Sequence, residues 1–273
     1  MNKFKGILIC SDLDGTLLRD DKTISEENLS AIEYFKSEGG LFTFITGRMP
    51  VISKDIYRLV KPNAPFGCIN GGGIYDHVKG EYVWMEELPR EALELVELAD
   101  KEFPSIGIQV NTADNIYFNK DNNALVRFRS LTDLPNLQCH YNDVKEPIAK
   151  VIFAEDDGDV IDRLTAALTS HQLADRFAFI RSQWDLYEIL PKGITKATAL
   201  EKLTEHLGID IKKTIAAGDY NNDIAMLEKA GLGVAVANAC PAAKAAADRV
   251  TVSNNEHAIA KIIKDLDSGE IVL

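Results

Sequence analysis

Cysteines at metal-binding or disulfide spacing are missing from this chain. The four present, Cys10, Cys68, Cys139 and Cys240, are scattered and form no Cys-x-x-Cys pair, so neither a zinc site nor a disulfide framework is expected and most of them read as small core residues. No apolar run approaches membrane-spanning length, and the one behind Lys3 and Lys5 is too short for a signal peptide; a cytoplasmic location is expected. Positive charge is also scarce. Thirty Lys and Arg against 42 Asp and Glu leave a formal charge of -12, which repels nucleic-acid backbones and anionic membranes at long range. No Gly-x-Gly-x-x-Gly follows the first strand-like run and no P-loop lysine motif occurs, which excludes the common dinucleotide and triphosphate binders. Repeats and low-complexity tracts are absent as well.

What is present begins with a core: 273 residues at 46% apolar content suffice for one large domain or two unequal ones. The stretch Ile7-Leu-Ile-Cys-Ser-Asp-Leu-Asp-Gly-Thr16 is an apolar strand ending in two carboxylates, a glycine that permits a turn and a hydroxyl. If the strand persists through it, Asp12 and Asp14 point the same way, because one face recurs every second residue. Two adjacent carboxylates need a cation or a shared proton.

The rest alternates. Residues 26–37 carry helical spacing behind Ser25 as N-cap, and 41–45 form a buried strand that stops at Thr46-Gly47-Arg48, together a right-handed βαβ unit. A helix at 51–60 leads to a third strand at 66–69, which ends in Asn70-Gly71-Gly-Gly73. A hairpin at 74–76 and 82–84, a helix at 90–103, strands at 106–110, 116–119 and 149–154, a helix at 160–172 and strands at 177–181 and 186–190 then read as an α+β insertion. The parallel rhythm resumes with Lys196 and a helix to Leu207 ended by Gly208, a strand at 213–217 ending in Gly218-Asp219-Tyr-Asn-Asn222-Asp223, strands at 233–236 and 249–252, and a last helix at 257–266. The expected fold is α/β, a Rossmann-like doubly wound parallel sheet with an inserted α+β cap domain. Residues 1–84 and 189–273 form the core, and 85–188 the insertion.

A parallel sheet brings the ends of its strands to one edge, where open α/β sheets bind ligands. Four carboxylates, Asp12, Asp14, Asp219 and Asp223, are therefore expected to converge there with Thr46. Hard oxygen ligands favour Mg2+, which shares its shell with substrate phosphate, and Lys196 adds a fixed positive charge.

Asp12-Leu-Asp-Gly-Thr16, Thr46-Gly47-Arg48, Lys196 and Gly218-Asp219 through Asn222-Asp223 together resemble, in order and context, the motifs of the haloacid dehalogenase-like superfamily. Asn70-Gly-Gly-Gly-Ile-Tyr-Asp76 and Glu188-Ile-Leu-Pro-Lys-Gly-Ile-Thr-Lys196 are similar to the sequences that flank the large α/β cap of its Cof-type branch. The resemblance spans nearly the whole chain and implies a magnesium-dependent phosphatase of small phosphorylated metabolites such as sugar phosphates. It makes Asp12 the nucleophile and a metal ligand, and Asp14 the acid-base, with its backbone carbonyl on the metal. Thr46 and Lys196 hold the phosphoryl group, Asp219 completes the metal shell, and Asn222 and Asp223 orient Lys196 or metal-bound water. Arg48, Asn70 and Gly71 are candidate substrate contacts, as are Arg127, Arg129 and His140 in the insertion. A sugar phosphomutase and a phosphometabolite-binding regulator of little turnover are the competing readings; the partner in each is a small phosphate ester, with no nucleic acid or membrane.

Overall fold

The computed structural model describes residues 2–132 and 134–273. The chain opens with β1 (Leu8–Ser11), α1 (Glu26–Ser37), β2 (Leu41–Phe44), α2 (Lys54–Val60), β3 (Phe66–Cys68), β4 (Gly73–Asp76) and β5 (Glu81–Met85). It continues with α3 (Ala92–Glu102), β6 (Gly107–Thr112), β7 (Ile116–Lys120), α4 (Asn123–Thr132), β8 (Ile148–Ala154), α5 (Gly158–Thr169), β9 (Phe177–Gln183) and β10 (Leu186–Pro191). It closes with α6 (Lys196–Leu207), β11 (Thr214–Gly218), α7 (Ile224–Lys229), β12 (Leu232–Ala235), α8 (Pro241–Ala246), β13 (Arg249–Val250) and α9 (Ala258–Ser268). None of the described helices is long and apolar enough to cross a membrane.

Two compact units result, Met1–Trp84 with Thr195–Leu273, and Met85–Ile194. The first holds a five-stranded parallel sheet ordered β13-β12-β11-β1-β2. From β1 the chain steps to β2 on one side, and later from β11 to β12 and β13 on the other. The strand order therefore reverses between β1 and β11, the position where such sheets open a crevice beyond their carboxyl ends. Leu8, Cys10 and Ala216 of the two central strands are fully buried, as expected of strands covered on both faces. Helix α9 lays Ile259, Ile262 and Ile263 inward and α1 lays Ile32 and Phe35 inward, each such side chain contributing about 1.5–3 kcal/mol relative to exposure. Ser25 caps α1 by accepting from the Asn28 N–H (3.2 Å).

The expected third strand at 66–69 is present as β3, fully buried and bridged in parallel to the end of β2. β3 also pairs antiparallel with β4 in a three-stranded sheet ordered β3-β4-β5, and beside β2's end the Thr46 N–H donates to Gly67 O (3.0 Å) and Thr43 Oγ1 to Pro65 O (2.8 Å). Ile69 and Asn70 follow it in left-handed backbone (φ 57° and 51°), which reverses the chain at once and delivers β4 alongside.

The second unit is a five-stranded antiparallel sheet ordered β7-β6-β8-β10-β9, with Val110, Val151, Phe153 and Ile189 packed against Leu95, Val96 and Leu164 of α3 and α5. β10 pairs with β9 through Pro191, so the return to the first unit falls at Thr195 rather than at residue 189. Helix α4 was not expected from the sequence, because only Ala124 and Leu125 of its ten residues are buried and no apolar stripe marks it.

Candidate active site

The site grows from the carboxyl ends of β1 and β11. Register pairs Ser11 with Ala217, and the Asp12 N–H donates to Ala217 O (2.8 Å), which sets Asp12 beside the turn that begins at Gly218. Lys196, the first residue of α6, reaches into this corner and is 1% exposed. Its Nζ donates to Asp12 Oδ1 and to Asp223 Oδ1, both at 2.5 Å. A cation at a helix N-terminus opposes the helix dipole, so the paired carboxylates are what hold it there. The local cap is supplied by Thr195 and Thr198, which bond reciprocally to each other's backbone N–H.

Asp223 is fully buried and spends its second oxygen on the backbone N–H groups of Asp219 (2.9 Å) and Tyr220 (3.0 Å). That closes the turn and aims Asp219 at the Asp12 side, where Asp219 Oδ1 accepts from Thr16 Oγ1 (2.9 Å). Gly15 makes this approach possible: its φ is +81° and a Cβ there would lie 2.5 Å from Asp219 Oδ2, so only glycine fits.

Oxygens of Asp12, Asp219 and Asp223 lie within 4.8 Å of one another. Three carboxylates around one ammonium leave an excess of negative charge in a dry corner. Burial pushes Asp12 well above the usual carboxyl range, against the pull of Lys196. Burial and the neighbouring Asp223 push Asp219 up to about 6. Burial works against the charge on Lys196, but Asp12 and Asp223 hold it above the ordinary lysine range. All-oxygen donors with unbalanced charge fit a hard divalent cation.

Asp14 does not join this cluster, contrary to the expected convergence of four carboxylates. β1 ends at Ser11, so the alternation that would have aligned Asp12 with Asp14 stops. The Asp14 carboxylate instead accepts from Arg48 Nε (2.8 Å) and Nη2 (2.7 Å) and from Lys22 Nζ (3.0 Å). Burial alone would raise this carboxyl, yet Arg48 and then Lys22 hold it below its usual value.

Thr46 is buried and accepts at Oγ1 from the Arg48 N–H (3.2 Å). The Asn70 N–H donates to Thr46 O (3.1 Å), Asn70 Oδ1 accepts from Asn222 Nδ2 (3.0 Å), and Gly47 packs against the Asn70 amide. Thr46, Asn70 and Asn222 are thus one network. Gly71 serves α6: at φ +103°, with a Cβ that would fall 1.8 Å from Thr195 O, it lets the loop lie against the residue preceding Lys196.

The three candidates in the insertion are spent on structure within it. Arg127 pairs with Asp156 and Asp185. Arg129 pairs with Asp121 and stacks on Phe118, and His140 caps a short turn at Asn142. Sequence reasoning missed a different set. Register places Gln109, Asn111, Lys150 and Glu188 on the sheet face opposite α3 and α5, all buried, with Lys150 Nζ 2.8 Å from Glu188 Oε2. Gln109 Nε2 donates to Asn111 Oδ1 (2.7 Å), while Gln109 Oε1 and Asn111 Nδ2 find no partner among the described residues. The available signal was polar residues interrupting otherwise apolar strands.

The sequence profile described as haloacid dehalogenase-like hydrolase matches residues 9–263. The chain is 30% identical over 271 residues to the 5-amino-6-(5-phospho-D-ribitylamino)uracil phosphatase YitU of Bacillus subtilis, covering 96% of this chain and 97% of that protein. It is 30% identical over 242 residues to the HMP-PP phosphatase of Escherichia coli, covering 87% and 86%. Among solved structures it is similar to a haloacid dehalogenase-like hydrolase from Bacteroides thetaiotaomicron, with a TM-score of 0.83 at 27% identity over 95% of this chain and 99% of the other.

Proposed function

Because the chain belongs to the haloacid dehalogenase-like hydrolase family and is a phosphoric monoester hydrolase, we propose that it is a cytoplasmic, magnesium-dependent phosphatase of small polar metabolites working through an aspartyl-phosphate on Asp12. The observation that carries this reading is the buried Lys196 between Asp12 and Asp223, with Asp219 within reach of both.

A carboxylate oxygen of Asp12 attacks phosphorus, and the bond from phosphorus to the leaving oxygen breaks. Asp14 gives that oxygen its proton. Asp14 then takes a proton from water, whose oxygen attacks the same phosphorus and returns Asp12 as carboxylate with release of phosphate. Two displacements replace one hard one. Asp14 is charged while Arg48 and Lys22 grip it, so it carries a proton only once the phosphoryl group draws Arg48 away. Lys196 Nζ and Thr46 Oγ1 hold the phosphoryl oxygens, and Asn70 and Asn222 keep the Thr46 strand end in register. Asp12, Asp219 and the Asp14 carbonyl would hold magnesium. Asp223, with both oxygens already engaged, braces the set from behind. When bound, the ion offsets charge on the transferring group.

The inserted unit is the cap that selects the substrate. Phosphate release from a panel of sugar phosphates, nucleotides, flavin mononucleotide and pyridoxal phosphate, with magnesium and with chelator, tests the whole. Release from one class that chelator abolishes is expected. Isomerised sugar phosphate without free phosphate would instead make the protein a mutase, and tight binding without turnover a regulator.

A pH dependence follows from Asp219. With its carboxyl pushed to about 6 from the ordinary 3.8, its stabilising protonated form is complete below the lower value and lost as pH rises through the upper one. A cation must displace that proton, and the one that burial favours on Asp12, so magnesium affinity is expected to fall at least about tenfold per pH unit below about 6. Calorimetric titration with magnesium chloride on both sides of this value measures it; equal affinities would overturn the assignment.

A further inference from the structure

The loop that follows the nucleophile, residues 15–23, touches the catalytic carboxylates twice. Thr16 donates to Asp219 (2.9 Å) and Lys22 to Asp14 (3.0 Å). Yet Lys22 is exposed and in left-handed backbone (φ 65°), and residues 20–23 all lie at the surface. The loop has bonds of its own, from the Arg19 N–H to Thr23 O and from the Lys22 N–H to Arg19 O (both 2.9 Å), with Thr23 donating to Asp21 Oδ1. Further restraint comes from far along the chain. Asn254, 1% exposed, donates from Nδ2 to Leu18 O (3.1 Å) and to Asp20 Oδ1 (3.0 Å). Its backbone N–H donates to Asn238 Oδ1 (2.9 Å), and Asn238 Nδ2 in turn donates to Gly15 O (2.8 Å). Asn255 adds two bonds with Asp20, from its Nδ2 to Oδ2 (2.8 Å) and from the Asp20 N–H to its Oδ1 (3.2 Å).

We propose that Asn238 and Asn254 are positioning residues for the phosphoryl-transfer reaction, clasping the 15–23 loop so that Thr16 and Lys22 hold Asp219 and Asp14 in their working orientations. The chemistry requires asparagine. An amide can donate and accept at once: Asn254 Nδ2 meets a carbonyl and a carboxylate of the loop, while Asn238 accepts from the Asn254 N–H at Oδ1 and donates to Gly15 O from Nδ2. The segment carrying Asn254 also has supports independent of the loop. Ser253 Oγ donates to Glu256 Oε2 (2.7 Å) and the Ser253 N–H to the same oxygen (3.2 Å), bracing the turn that presents Asn254. Just beyond, the Ala260 N–H donates to the buried Asn28 Oδ1 (2.9 Å), docking the segment on α1. The bonds to Gly15, Leu18 and Asp20 come from two segments, at Asn238 and at Asn254–Asn255, joined by the Asn254 N–H to Asn238 Oδ1 bond.

The inference rests on the phosphatase reading for its kinetic consequence but has a readout independent of it. In Asn254→Ala, and in Asn238→Ala at the exposed end of the same relay, amide hydrogen exchange is expected to quicken at least about tenfold across 15–23 and to remain unchanged in β1, β2 and β11. Turnover is expected to fall about 10- to 100-fold, the usual effect of losing a supporting hydrogen bond behind a reactive group, with KM within about threefold. Combining Asn254→Ala with Lys22→Met is expected to cost less than the product of the two single losses, because both act through Asp14. Unchanged exchange in both single variants overturns the clasp whatever the enzyme's activity. Faster exchange with undiminished turnover, or fully multiplicative losses in the double variant, overturns its positioning role. Absence of phosphate release from the unmodified protein strikes the phosphatase reading instead and leaves the exchange result to decide the clasp.

Discussion

Asp12→Asn is expected to lower phosphate release by about 10⁴- to 10⁶-fold, the scale seen when a covalent nucleophile is removed, and to leave no acid-stable phosphoryl-enzyme in rapid-quench experiments. The amide is nearly isosteric and cannot attack phosphorus. The fold is expected to survive, since burial already disfavours the charge on this carboxyl and Lys196 keeps Asp223 as partner. Asp14→Asn provides the contrast: phosphoryl-enzyme still forms, and turnover falls by roughly 10²- to 10⁴-fold, the worth of a general acid-base group. Near-normal turnover in Asp12→Asn would end the nucleophile assignment.

Lys196→Met carries the second large effect, on stability as well as rate. The substitution leaves Asp12 and Asp223 facing each other in a buried corner with no cation between them. Breaking a buried pair from one side costs about 3–5 kcal/mol, and losing a charge aimed at the phosphoryl oxygens is expected to cost about 10²–10³ in turnover. The sign with pH follows directly. Lys196 draws the Asp12 carboxyl down against burial, so without the ammonium Asp12 takes up a proton more readily in the folded state, and the destabilisation shrinks as pH falls and grows as it rises. Magnesium, binding only the folded protein, is expected to restore part of the loss. Denaturant titrations at neutral and mildly acidic pH, with and without magnesium, measure this; a variant as stable as the parent at neutral pH would show that Lys196 does not neutralise the cluster.

Much of this architecture was legible before the structure, for local reasons. The apolar run ending in Asp12-Leu-Asp-Gly-Thr16, the cap at Ser25 and the stop at Gly208 are short-range signals, and alternating strands and helices leave few parallel topologies. Helix α4, with little buried, carried no such signal. β3 is the core strand its apolar residues announced, whereas the left-handed pair at Ile69 and Asn70 that turns the chain into β4 has no sequence period.

The sequence by itself determined the order of strands, the insertion and the residues that crowd the carboxyl edge, because periodicity and turn chemistry act between near neighbours. The tertiary structure alone decided how the charges there are divided. Arg48, 34 residues along, takes Asp14 out of the cluster, while Lys196, 184 residues from Asp12, enters it. Asn254, 236 residues from Leu18, clasps the loop between. Which carboxylate meets which cation depends on where remote chain segments cross, and in a dry interior that crossing sets whether a charge is gripped, shared or left for a metal.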